Sequence, residues 1–195
     1  DARNDPQRLD MFRREAEMAA RLIHPHIALI HSLEEVEGRW IISMEYVRGR
    51  SLHQVLESRR GPLPLLEAIE IGIQMARGLI HAHRNTIIHR DLKPGNVMVT
   101  DSGEVKILDF GIAKAVESED LPFEVGDGES GSGSRLTPFS PSHTKPGSFI
   151  GTLGWSPPEQ MRGEAVDARA DIFAFGVVLY ELATGRRPFQ RGTMA

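Results

Sequence analysis

Apolar residues recur along this chain in two different rhythms, and the rhythms divide it into elements. In "MFRREAEMAARLI", Met11 to Ile23, residues Phe12, Ala16, Ala19 and Ile23 fall on one stripe at helical spacing. "HIALIHSLEEVEGRWIISMEYV" reads instead as two strands joined through a charged turn at Glu37-Gly38. "SLHQVLESRR" opens a short helix with Ser51 as its cap. In "LPLLEAIEIGIQMARGLIHAH" the residues Leu66, Ile69, Ile73, Ala76 and Ile80 predict a long helix that turns this stripe to the core. "IIHRDLKPGNVMV" sets a polar loop between two apolar runs, each expected as a buried strand. "NVMVT" and "VKILDF" then form a strand pair turned by "DSG". "DIFAFGVVLYELATG" is apolar nearly all round, the pattern of a helix buried at a domain centre.

One stretch breaks the rhythm. Between about 117 and 147 the chain turns to Gly, Ser, Pro, Asp and Glu, too poor in apolar surface to fold alone and expected to be mobile. No internal repeat is visible. Composition then narrows the chemistry. The chain has 195 residues, 40% hydrophobic and 26% charged, which is enough apolar material for a sizeable core. A net charge of -4 gives no field to recruit nucleic acid. The lack of cysteine excludes disulfides, thiolate zinc sites and a thiol nucleophile, and fits a reducing cytoplasm. No membrane segment is expected within these residues, because the longest apolar run, Ile172 to Tyr180, is too short to span a bilayer.

The polar loop holds more chemistry than a turn requires. Pro94, Gly95 and Asn96 would suffice for turning, yet His89, Arg90, Asp91 and Lys93 accompany them. Asn96, with Asp109 from "ILDFG", offers two oxygen ligands and no nitrogen or sulfur, which suits Mg²⁺. Lys93 supplies a point charge for a phosphate, and Asp91 a carboxylate to accept or orient a hydroxyl proton. These are the parts that phosphoryl transfer needs, since its catalysis rests on positioning and charge stabilisation. Several other features have plainer explanations. His24, His26, His31, His81, His83 and His89 are not expected to hold a metal, and "FRRE" and "RRP" read as solvated faces. Trp40 and Trp155 read as packing residues.

In these residues the chain resembles the eukaryotic-type protein serine/threonine kinases. "HRDLKPGN" matches the catalytic loop and "DFG" the metal-binding motif. "GTLGWSPPEQ" is similar to the peptide-docking segment, "MEYVRGRSL" to the hinge, and "DARADIFAFGVVLYELATGRRPF" to the central helix. Five motifs occur in the family's order, the match runs from about Phe12 to Phe189 with the acidic loop excepted, and the wording is closest to bacterial members.

The resemblance implies an α+β, two-lobed kinase fold in incomplete form, with residues 1–44 from the small lobe, 45–50 the hinge and 51–195 part of the large lobe. It makes 109–159 the activation segment, carrying the insertion at 117–147. It gives Asp91 the substrate hydroxyl, Lys93 the γ-phosphate, and Asn96 and Asp109 the Mg²⁺. Thr152 would bond Asp91 and Lys93. Met44, the Glu45 carbonyl, the Val47 amide and Met98 would surround the adenine of ATP. Glu15 would pair with an upstream lysine, although its place on an apolar stripe also fits a snorkelling edge residue. His89, Phe110 and Asp171 would be internal supports, Asp171 accepting bonds from the catalytic-loop backbone.

The partners of Glu15 and Glu159 are absent from the sequence, so the chain is expected to be an internal piece of a kinase domain, inactive alone. The parent would phosphorylate Ser or Thr of protein substrates, and itself at Ser148 or Thr144, with Arg90 and Lys114 facing the phosphate. Two alternatives remain at this level. A pseudokinase scaffold is disfavoured by the intact Asp91, Lys93, Asn96 and Asp109, and a small-molecule kinase by the docking segment.

Overall fold

The computed structural model describes residues 17–36, 39–59, 61–110 and 154–189. Two small antiparallel sheets and the helices that cover them make an α+β architecture. Strands β1 (Ile30–Val36) and β2 (Arg39–Met44) pair antiparallel, with Val36 opposite Arg39 and Ile30 opposite Met44, as the charged turn between them predicts. A second sheet has the order β3 (Gly49–Ser51), β4 (Val97–Thr100), β5 (Val105–Ile107). The segment before β1 docks on its edge. The Ala28 amide donates to the Ile107 carbonyl at 2.9 Å, and the Ile107 amide to the His26 carbonyl at 3.0 Å.

Helix α1 (Leu52–Arg59) begins where the sequence places its cap. The Gln54 amide donates to Ser51 Oγ at 3.2 Å and the Ser51 amide to Gln54 Oε1 at 2.9 Å, a reciprocal capping box. Helix α2 (Leu65–Arg84) and helix α4 (Ala168–Thr184) cross at the centre, and the short α3 (Pro158–Met161) precedes α4. Asp167 caps α4 by accepting from the Arg169 amide, and Gly185 closes it with φ 68°, a left-handed conformation suited to glycine. The core joins Leu22, Leu52, Met75, Leu92, Val97, Val105, Ile107 and Leu182, each at most 1% exposed.

Four expectations need correction. The long helix turns its other stripe inward: Ala68, Ile71, Gly72, Met75, Gly78, Leu79 and Ala82 are buried, while Leu66, Ile69, Ile73 and Ile80 are exposed. Small residues decide this. A Cβ on Gly72 would lie 2.7 Å from Leu179 Cδ2, and one on Gly78 would lie 3.0 Å from the His26 carbonyl oxygen, so neighbours come closest along the glycine stripe. Ile23 is exposed and Leu22 takes its place inside, because helical geometry ends after Ala19. Ile87 is buried, but Ile87-Ile88 form no strand. Helix α4 is not buried all round, since Ile172 and Tyr180 are exposed.

Candidate active site

The β4–β5 hairpin and the loop before it bring the polar residues together. Three-residue helical turn Pro94–Asn96 leads directly into β4, and Asp109 follows two residues after β5 ends. The Leu108 amide donates to the Asn96 carbonyl at 2.8 Å, fixing these two ends side by side.

Beneath them lies His89, wholly buried. Its Nδ1 accepts from the Asp91 amide at 3.2 Å, so Nε2 is the nitrogen that donates to the Leu108 carbonyl at 2.8 Å. Its ring packs on Phe110 with centroids 4.8 Å apart. Deeper still, Asp171 of α4 is 1% exposed. Its carboxylate accepts from the His89 amide at 2.8 Å and the Arg90 amide at 2.9 Å, as the resemblance implies. It also accepts from His83 Nε2 at 2.7 Å. Burial pushes its pKa up, but the His83 hydrogen bond, the neighbouring His89 ring and the two amides outweigh burial and lower it.

This anchoring has a purpose in the backbone. Arg90 has φ 67° and Asp109 φ 57°, left-handed conformations that cost non-glycine residues about 1–2 kcal/mol each. Bonds to Asp171 hold the first of them, and Gln160 Nε2 adds a bond to the Arg90 carbonyl at 2.8 Å.

At the surface of this support, Lys93 Nζ lies 2.5 Å from Asp91 Oδ2. Asn96 Nδ2 donates to the Asp91 carbonyl at 2.9 Å and to Asp91 Oδ2 at 3.2 Å. With Nδ2 so committed, Oδ1 is the atom of Asn96 left to face a cation. The Asp109 pKa is raised, first by desolvation and then by Asp91, against the opposing pull of His89 and Lys93. Asp109 as a residue is exposed, so we read this as crowding at the mouth of a cleft rather than burial in a core. Asp109, whose pKa the neighbouring Asp91 helps to raise, together with the Asn96 amide oxygen fits a hard divalent cation. Among the described residues no three His, Cys, Asp or Glu are grouped to hold a metal, so a cation here would share its shell with water or phosphate.

The β2 end reaches the same edge through an ion pair that the sequence reading missed. Lys106 Nζ lies 2.6 Å from Glu45 Oε1, and Lys106 stands in register with Met98 on β4. The Leu29 amide also donates to Glu45 Oε2 at 3.1 Å. Burial pushes Glu45 upward, but the Lys106 hydrogen bond, the Leu29 amide and the Lys106 and His31 charges together lower its pKa. Met44 ends β2, and Val47 lies half-buried beyond it. Glu15, Thr152, Lys114, Thr144, Ser148 and the 117–147 stretch lie outside the described residues. His83, Gln160 and Lys106 were missed because each acts on a partner remote in sequence, which no local spacing signals.

Comparison with known proteins decides the family. The model of the protein kinase domain matches residues 1–195. This chain belongs to the protein kinase family. It is 38% identical over 189 residues to serine/threonine-protein kinase PrkC of Bacillus subtilis, covering 97% of this chain and 26% of that protein. It is 39% identical over 193 residues to serine/threonine-protein kinase PknB of Mycobacterium leprae, covering 97% and 28%. It is 40% identical over 199 residues to tyrosine-protein kinase MasK of Myxococcus xanthus, covering 96% and 27%. The chain thus spans about a quarter of the length of these relatives. In structure it is similar to the kinase domain of Mycobacterium tuberculosis PknI, with a TM-score of 0.68 at 30% identity, covering 99% of this chain and 63% of that one.

Proposed function

We propose that the parent protein transfers the γ-phosphoryl group of ATP to Ser or Thr hydroxyls of protein substrates, itself included. The observation that carries this reading is the Asp91 carboxylate, contacted at one oxygen by both Lys93 Nζ and Asn96 Nδ2, with Asp109 in the same electrostatic field. These contacts aim Asp91 at an incoming hydroxyl, which it orients and whose proton it accepts as the new oxygen–phosphorus bond forms, the bond from the γ-phosphorus to the bridging oxygen breaks and ADP leaves. Lys93 neutralises the γ-phosphate, and Asn96 Oδ1 and Asp109 are the donors that would hold Mg²⁺. When bound, that ion neutralises charge on the phosphate oxygens. Met44, the Glu45 carbonyl, the Val47 amide and Met98 line the base pocket, with the Lys106 bridge fixing Glu45.

In this reading residues 1–44 belong to the small lobe, 45–50 to the hinge and 51–195 to the large lobe. The Ser/Thr preference is supported by the names of PrkC and PknB, whereas MasK is named a tyrosine kinase. The cytoplasm, where ATP is supplied, is the compartment this chemistry requires. No helix among the described residues is long and apolar enough to cross a membrane.

The test separates two roles in the full-length parent. Asp91→Asn should remove nearly all phosphotransfer, roughly 10²–10⁴-fold for a lost general base, with nucleotide affinity little changed. Asp109→Ala should instead abolish Mg²⁺-dependent nucleotide binding, read by calorimetry. Equal loss of nucleotide binding in both variants would overturn this division.

A further inference from the structure

Trp155, Glu181 and Arg187 form a closed group at the far end of α4 from Asp171. Trp155 is 6% exposed, and its indole Nε1 donates to Glu181 Oε2 at 3.1 Å. Arg187 Nε donates to the other oxygen, also at 3.1 Å. The Arg187 guanidinium carbon lies 4.2 Å from the Trp155 ring centroid, a cation–π stack. Glu181 is 8% exposed, so water does little to solvate its charge, and Arg187 supplies the counter-charge. Each member contacts the other two. The group ties the α4 C-terminal turn, the residues just past Gly185 and the chain at Trp155 into one unit.

Trp155 is also close to the chemistry. Trp155, Ser156, Pro157 and Gln160 line a narrow crevice with Arg90, Asp91 and Leu92. Within it Gln160 bonds the Arg90 carbonyl. The Trp155–Pro157 backbone therefore stands beside Asp91, the residue to which a protein substrate brings its hydroxyl in the kinase reading. Asn96 and Asp109, the nucleotide-side residues in that reading, do not line this crevice.

We propose that Arg187 is a positioning residue for the protein substrate: by neutralising Glu181 and stacking on Trp155, it fixes the Trp155–Pro157 wall beside Asp91. This inference rests on the kinase reading above. A guanidinium suits the task because its plane stacks on the indole while its edge donates to the carboxylate. An ammonium keeps the charge but not the stack.

The experiment uses the full-length parent and its Arg187→Met and Arg187→Lys variants, with a Ser/Thr peptide that the parent phosphorylates. KM for peptide, KM for ATP, kcat and thermal midpoint are measured for each. Loss of the stack and of the counter-charge should raise the peptide KM roughly tenfold in Arg187→Met, with the ATP KM unchanged. Arg187→Lys should fall between Met and the parent. A folded Arg187→Met with an unchanged peptide KM, or with equal rises for peptide and ATP, overturns the inference. If Arg187→Met does not fold, Arg187→Lys decides: a raised peptide KM at constant ATP KM supports the role, and wild-type values for both overturn it. A parent that transfers no phosphate overturns the kinase reading and this inference with it. An active parent with an indifferent Arg187 overturns this inference alone.

Discussion

Asp171→Asn removes a charge from the centre of the molecule while leaving its shape. In the structure Asp171 Oδ2 accepts from His83 Nε2 at 2.7 Å and from the His89 amide at 2.8 Å, and Oδ1 accepts from the Arg90 amide at 2.9 Å. An asparagine keeps one oxygen and turns an NH₂ toward at least one of these donors. At least one bond becomes a donor–donor clash, and the others lose their charge assistance, worth about 1.5–3 kcal/mol each. With the site 1% exposed, water cannot take over. The expected loss is roughly 3–5 kcal/mol, as for a buried pair that loses one partner. That is a large share of the about 5–15 kcal/mol by which domains are stable. Urea unfolding of the parent and variant, followed by tryptophan fluorescence, measures it. The pH dependence gives a second reading. The lowered pKa of Asp171 means that the unfolded chain binds its proton first as pH falls. Its contribution is complete above the unfolded value of about 4 and is lost as pH drops through the folded value. Wild type should therefore lose stability below about pH 4 more steeply than Asp171→Asn. A loss under about 1 kcal/mol at neutral pH, with an unchanged m value, would refute the anchoring role.

Two further outcomes follow from the site's edges. Lys106→Met breaks the bridge to Glu45, whose partners are 18% and 30% exposed, so stability should fall by only about 1 kcal/mol, and the Glu45 pKa should rise in an NMR titration. Gly49→Ala places a Cβ 2.2 Å from the Val99 carbonyl oxygen where β3 pairs with β4. The strands must separate, and stability should fall by about 1–3 kcal/mol in a urea titration. A neutral Gly49→Ala would show that this strand pairing gives way freely.

The sequence by itself determined which polar residues of the candidate site stand together, and most of the elements. "HRDLKPGN" and "DFG" carry Asp91, Lys93, Asn96 and Asp109 within short spans, where hydrogen bonding is set by local spacing: Lys93 and Asn96 reach Asp91 across two and five residues. The Ser51 capping box and the β1–β2 and β4–β5 hairpins are local in the same sense, and all appear where the pattern places them. Only the tertiary structure decided which face of α2 is core. Both of its stripes are apolar, and the choice fell to the one whose glycines let α4 and the His26 backbone approach closely. It also decided the supports of the site. His83 meets Asp171 across 88 residues, Lys106 meets Glu45 across 61, and Trp155 meets Glu181 across 26. Periodicity reports how a residue relates to its own helix turn or strand. It carries no signal for a partner that only the packing of separate elements brings within hydrogen-bond distance.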